Sequence, residues 1–197
     1  MYKKQLKLQK FLCLLAICSS AVIFLYALGI MTDVYDTLYS TMRNPADLTQ
    51  TDVPGSIIYY QMQVINQQFL RDGICLILLA CLLFITNTHS RRRYYIGNYV
   101  SILLFCAANA YVAWDNHYYI EACKERFLAV DFEALRKHAD LWKTAYTEST
   151  FWFDIHYYVF GFALAVCALL ILCTLWKMLL MGTEKRLLAK GRKGATA

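Results

Sequence analysis

Charge is missing from four long stretches of this 197-residue chain. No Asp, Glu, Lys or Arg occurs in Phe11–Thr32, Gly73–Ser90, Tyr94–Trp114 or Ile155–Trp176. Each is close to the roughly 20 residues that an α-helix needs to cross a hydrocarbon core. Their solid apolarity excludes barrel strands, which alternate every second residue. Ionisable side chains deep in a span mark proton relays and ion pathways. Their absence argues against a proton- or sodium-coupled transporter, and no polar stripe lines any run as a channel would require.

Other scarcities exclude more. Only Cys123 of the eight cysteines lies outside the apolar runs, so no disulfide framework can staple the loops. The cysteines inside the runs read as small, soft packing residues. The eight glycines are scattered and form no phosphate loop. There is no CxxC and no GxSxG, and no Ser–His, paired-Asp or HExxH arrangement at depth. No catalytic residue and no cofactor are therefore expected. Proline is nearly absent: Pro45 and Pro54 both fall in the first inter-span loop, leaving the rest free to be helical.

What is present reads as an all-α, polytopic membrane protein. A four-transmembrane-helix bundle is expected, with spans at about 11–31, 72–89, 94–114 and 155–176, and helical extracytoplasmic extensions. The first run is long and ends without a small-x-small cleavage site, so it reads as an uncleaved anchor. Charge then sets orientation. The segments before the first span, between the second and third (Arg91, Arg92, Arg93) and after the fourth hold 13 Lys and Arg and one acid, Glu184. Residues 33–72 and 115–154 hold seven bases and 13 acids. Basic segments stay in the cytoplasm, which places both termini inside, in a cell (inner) membrane. The net charge of +6 is thus a topology signal, and nucleic acid is not an expected partner.

The two outward loops carry helical patterns. Ile58, Met62, Ile65 and Phe69 form one stripe, and Ser56 can cap a helix running into the second span. In the second loop, Asp131 is a good N-cap. Phe132, Leu135, Ala139, Trp142 and Tyr146 follow at helical spacing. Of these, Ile58, Met62, Ile65, Phe69, Phe132, Leu135, Trp142 and Tyr146 are the candidates for facing a partner, although the stripes can also pack on each other. The basic tail, 177–197, can lie in the inner headgroup layer, with Trp176 and Lys177 as anchors, or fray into solvent. Between spans, Gly161 with Ala165 and Cys106 with Ala110 are small-xxx-small pairs suited to close packing, and Asn109 is expected to hydrogen-bond a neighbouring helix.

One phrase occurs twice. "DNHYY" begins at Asp115 and "DIHYY" at Asp154. Each Asp is two residues from its His, so the two diverge around a helix. His117 and Glu121 are four apart and share a face, and antiparallel helices bring His156 to similar depth. His117, Glu121 and His156 are thus the one conceivable metal set. The plainer reading is an interfacial belt, since Trp and Tyr favour the headgroup level. Trp114, Tyr118, Tyr119, Trp152, Tyr157, Tyr158 and Trp176 all fall near span ends.

The leading functional expectation is non-catalytic: an accessory or assembly subunit, embedded in the lipid bilayer and binding a partner membrane or envelope protein, or a second copy of itself. A small oligomeric transporter or channel component and a metal-dependent membrane enzyme are the alternatives.

Overall fold

The computed structural model describes residues 2–30, 56–89, 96–142 and 148–194. The Arg91–Arg93 turn and Tyr146 lie outside them, as do the side chains of Met62 and Trp142. The elements are α1 (Tyr2–Gly29), α2 (Ser56–His89), α3 (Ile96–Leu128), α4 (Phe132–Trp142), α5 (Phe151–Asp154) and α6 (His156–Gly194). No strand occurs among the described residues. α1, α2, α3 and the α5–α6 segment are long and apolar enough to cross a membrane.

α1 lies against α2 and α6, α2 against α3, and α3 against α6. Gln9 of α1 meets Asn87 of α2 at the end where α1 begins, hereafter the proximal end. Gly29 meets Trp152 at the other, distal end. The second helix starts at Ser56, as its cap suggests, and α2 runs its 34 residues without a break, about 50 Å at the usual rise. α3 also overruns its charge-free stretch and ends only at Leu128. The chain then turns at Ala129 and Val130. Asp131 starts α4 as expected, its Oδ1 accepting the Ala134 N–H at 3.0 Å.

The exposure pattern is inverted relative to a soluble protein. Leu14, Leu25, Leu78, Leu103 and Leu172 all point outward, while Gln5, Gln9, Asn87, Asn98, Ser101, Asn109 and Asn116 are buried. Water would penalise such a surface over an area this extensive, whereas lipid tails tolerate it and favour polar contacts between helices.

Two apolar clusters fill the interior. The distal one centres on Tyr26, Phe69 and Phe160, whose rings stand edge-to-face with centroids 5.7–6.4 Å apart. The proximal one contains Leu12, Ala16, Leu83, Phe105, Val166 and Leu170. Beside it runs a polar chain. Gln5 Nε2 donates to Gln9 Oε1 at 3.1 Å, Gln9 Nε2 to Asn87 Oδ1 at 2.6 Å, and Asn87 Nδ2 to Ser101 Oγ at 3.1 Å. Three helices, α1, α2 and α3, are joined by it.

Lys177 departs from its expected place as a headgroup anchor. It is only 4% exposed, with Nζ 5.6 Å from the centroid of the Tyr99 ring. α6 continues straight past the end of its charge-free run. Its buried stripe of Ala163, Val166, Leu170 and Cys173 therefore reaches Lys177 one turn later.

Candidate metal centre

The distal end of α3 presents His117 and Glu121 one turn apart, facing the start of α6. The backbone at that start is what orients the third residue. α5 and α6 are separated by a single turn residue, Ile155, whose N–H donates to the Phe151 carbonyl at 3.0 Å. Side chains take the next two carbonyls. Tyr26 donates its phenol to Trp152 O at 2.8 Å, and His156 Nδ1 donates to Phe153 O. A carbonyl only accepts, so in the neutral ring Nδ1 carries the proton and Nε2 presents a lone pair.

That lone pair points at α3. His156 Nε2 lies 2.8 Å from His117 Nδ1 and 3.7 Å from Glu121 Oε1. One donor atom from each of His117, Glu121 and His156 lies within 4.8 Å of the others. His156 is fully buried, while His117 and Glu121 are half-buried. Tyr157 donates its OH to Glu121 Oε1 at 2.9 Å and fixes the carboxylate. The two imidazoles are tilted by 35° with centroids 5.0 Å apart, and the Tyr157 ring packs on His156 with centroids 4.0 Å apart.

Two imidazoles and a carboxylate suit a borderline divalent ion such as zinc. Bonds of about 2.0–2.1 Å in a tetrahedron set neighbouring ligand atoms about 3.3 Å apart. To reach that geometry the His pair must open by about half an ångström and the Glu121 carboxylate must close on both rings, from the present span of up to 4.8 Å. The Phe153 carbonyl and the Tyr157 phenol supply the outer contacts that hold a metal ligand in its tautomer and orientation.

No family model, curated protein or solved structure matches this chain. The function rests on the site itself.

Neither aspartate of the repeated phrase joins the cluster. Asp154 pairs with Lys124 and accepts Thr150 Oγ1 at 2.7 Å. Asp115 stands outside the three-residue group. Around the site, Trp114, Tyr118 and Tyr158 are strongly exposed. Trp152 instead is half-buried against the distal core. Tyr157 does more than anchor, through its bond to Glu121. Nothing in the sequence spacing signals that bond, because its partners are 36 residues apart.

The structure corrects two groups of expected residues. The stripe residues offered as partner-facing turn inward. Phe69 is 1% and Leu135 0% exposed; Ile58 is buried, and Ile65 and Phe132 pack on the distal cluster. Ile58, Phe69 and Leu135 are therefore buried within the chain itself, while Ile65 and Phe132 stay half-exposed. Met62, Trp142 and Tyr146 fall outside the described side chains.

The packing set also changes. Cys106 approaches the Cys167 carbonyl at 3.9 Å and does link α3 to α6. Asn109 turns back on its own helix, donating to Phe105 O at 2.9 Å. Ala110, Gly161 and Ala165 are exposed rather than packed between helices. α6 buries the face of Ala163 and Val166, and Gly161 and Ala165 lie off that stripe.

Proposed function

We propose that this chain is a multi-pass membrane protein, a four-helix bundle that holds one divalent transition-metal ion, zinc by its donor set, between α3 and α6. The convergence of His117, Glu121 and His156 from two helices, with His156 Nε2 already aimed by the Phe153 carbonyl, carries this reading. It departs from the expectation of no cofactor. Three protein ligands leave a fourth position for water, and the ion ties the distal extension of α3 to the first turn of α6. No general acid or base need be assigned for that binding role.

The experiment is direct. Protein purified in mild detergent and stripped with chelator should take up one Zn²⁺ per chain, with thermal stability rising as zinc is added. Absence of stoichiometric uptake removes the proposal.

The same proposal places the distal end outside the cytoplasm and both termini within, in the cell (inner) membrane. The supporting observation is the 13 Lys and Arg that fall in the terminal segments and the Arg91–Arg93 turn. A reporter fused after Ala197 should be active only in its cytoplasmic form; activity of an exported reporter at that position reverses the orientation.

A further inference from the structure

At the proximal end one cation is buried without an anion. Lys177 is 4% exposed and lies against the half-buried Tyr99 ring. Among the described residues no ion pair involves it. The sequence has little to offer it: residues 1–32, 73–114 and 155–197 hold one acidic side chain, Glu184. Glu184 stands two turns further along α6, about 10 Å at the usual rise. An ammonium kept from water is costly until an anion meets it, and ionisable groups at membrane depth mark binding sites and pathways. Two buried amide oxygens at this end are unmatched as well. Gln5 Nε2 donates to Gln9 Oε1 and, at 3.6 Å, to Cys173 Sγ, one turn before Lys177 on the same face of α6. Gln5 Oε1 has no donor among the described residues. On α3, Asn98 stands next to Tyr99, is also buried, and its Oδ1 lacks a donor among the same residues. The corner where α1, α3 and α6 meet thus holds a spare cationic donor and two spare acceptors.

We propose that this corner binds one anionic phospholipid of the proximal leaflet whose head carries hydroxyls, phosphatidylglycerol being the simplest, with its phosphate on Lys177 and its hydroxyls on Gln5 and Asn98. The unmatched donor and acceptors select that head. A phosphodiester accepts a charge-assisted hydrogen bond from the ammonium. The glycerol hydroxyls donate, which an amide oxygen requires and an ionised phosphodiester cannot supply. A choline or ethanolamine head brings a second positive charge beside the first. Basic pockets between helices on the cytoplasmic side of membrane proteins hold anionic heads in this way. The site differs from the general pull of a basic end on anionic lipid, because its cation is buried and is one residue. The proposal rests on the membrane reading and is independent of the metal.

The test uses the full chain in mild detergent, titrated with dioleoyl lipids and read as lipid retained per chain by native mass spectrometry. Wild type should retain one phosphatidylglycerol, at least about tenfold in preference to phosphatidylcholine or phosphatidylethanolamine, which corresponds to 1.4 kcal/mol. Lys177→Met keeps an apolar stem and removes the charge. It should lose that preference and melt no lower than wild type, since an uncompensated buried charge is gone. Lys7→Met, at an exposed lysine of the same end, should keep the preference. Phosphatidylethanol carries the same phosphodiester charge without hydroxyls. It should bind wild type about threefold or more weakly than phosphatidylglycerol, and Gln5→Leu should narrow the difference. Preference that survives in Lys177→Met, or falls equally in Lys7→Met, overturns the site. Equal binding of phosphatidylethanol by wild type overturns the choice of head. Displacement by soluble glycerol phosphate at equal concentration assigns the site to a free anion and overturns the lipid. Release of the chain from membranes by alkaline carbonate alone sinks the membrane reading itself, whereas a chain that stays in the membrane but shows no preference sinks this site only.

Discussion

Replacing His156 with alanine should lower zinc affinity by at least about 100-fold, because changes even in the groups behind a ligand cost 10–100-fold. The variant also damages the fold. His156 is 0% exposed, and its removal leaves the Phe153 carbonyl and His117 Nδ1 without their partner. Each buried polar group left unsatisfied costs about 1–3 kcal/mol. Loss of zinc binding by His156→Ala could therefore reflect unfolding, and Glu121→Gln resolves this. The amide that Glu121→Gln introduces keeps an oxygen for the Tyr157 phenol, 2.9 Å away in the wild type, while losing the charge that a cation needs. Its apoprotein should melt with the wild type, yet bind zinc about 10–100-fold more weakly. Isothermal titration against chelator-stripped protein measures the affinity, and thermal unfolding with and without zinc measures the linkage. At 100 times Kd, the ion adds about 2.7 kcal/mol of stability to a protein that binds it. At the same zinc concentration that increment should fall to about 0.4–1.4 kcal/mol in Glu121→Gln and to about 0.4 kcal/mol or less in His156→Ala. Wild-type affinity in His156→Ala and in Glu121→Gln would remove these residues from any metal site.

The sequence reveals elements better than it reveals which side of an element faces what. The four helices and the long reach of α2 follow from charge-free runs and from Ser56 standing after Pro54. The Asp131 cap follows from a local rule that the Ala134 N–H obeys. His117 and Glu121 were legible as a pair because one helical turn separates them, and His156 because antiparallel spans equalise depth. The facing of Ala110, Gly161 and Ala165 was not. A lipid-exposed helix is apolar all round, so its pattern fixes no direction, and a small-xxx-small pair reads the same whether it meets a helix or a groove. In the segments beyond the charge-free runs the opposite limit applies. The stripe containing Phe69 tells that one face is covered, but not that Tyr26 and Phe160 of the same chain cover it. Gln5 and Gln9 were hidden by the lysines around them, which read only as a basic topology signal. Only the register of α1 against α2 turns that face onto Asn87.

Gly29→Ala should destabilise the protein, while the same substitution at Gly161 should not. At Gly29 a Cβ would lie 2.5 Å from Trp152 Cζ3 and 2.7 Å from Cη2. The indole is rigid, so it cannot bend away as the end of a flexible chain would. Its backbone is also held, since Tyr26 donates to the Trp152 carbonyl at 2.8 Å and the neighbouring Phe153 is fully buried. Overpacking of this kind costs about 1–3 kcal/mol, and Gly29→Val should cost more than Gly29→Ala. At Gly161 the Cβ enters open space, and replacing a helix-interior glycine by alanine gains up to about 1 kcal/mol. The two substitutions are chemically identical, so their difference isolates the close approach of α1 to α5. Thermal unfolding in one detergent should lower the melting temperature for Gly29→Ala and hold or raise it for Gly161→Ala. Trimming the ring in Gly29→Ala/Trp152→Phe should recover part of the loss, a coupling that independent sites do not show. Displacing Trp152 also moves Phe153, whose carbonyl sets the His156 tautomer. Gly29→Ala should accordingly weaken zinc binding from a position that never touches the ion, and equal melting and zinc affinity in the two alanine variants would break this chain of contacts at its first link.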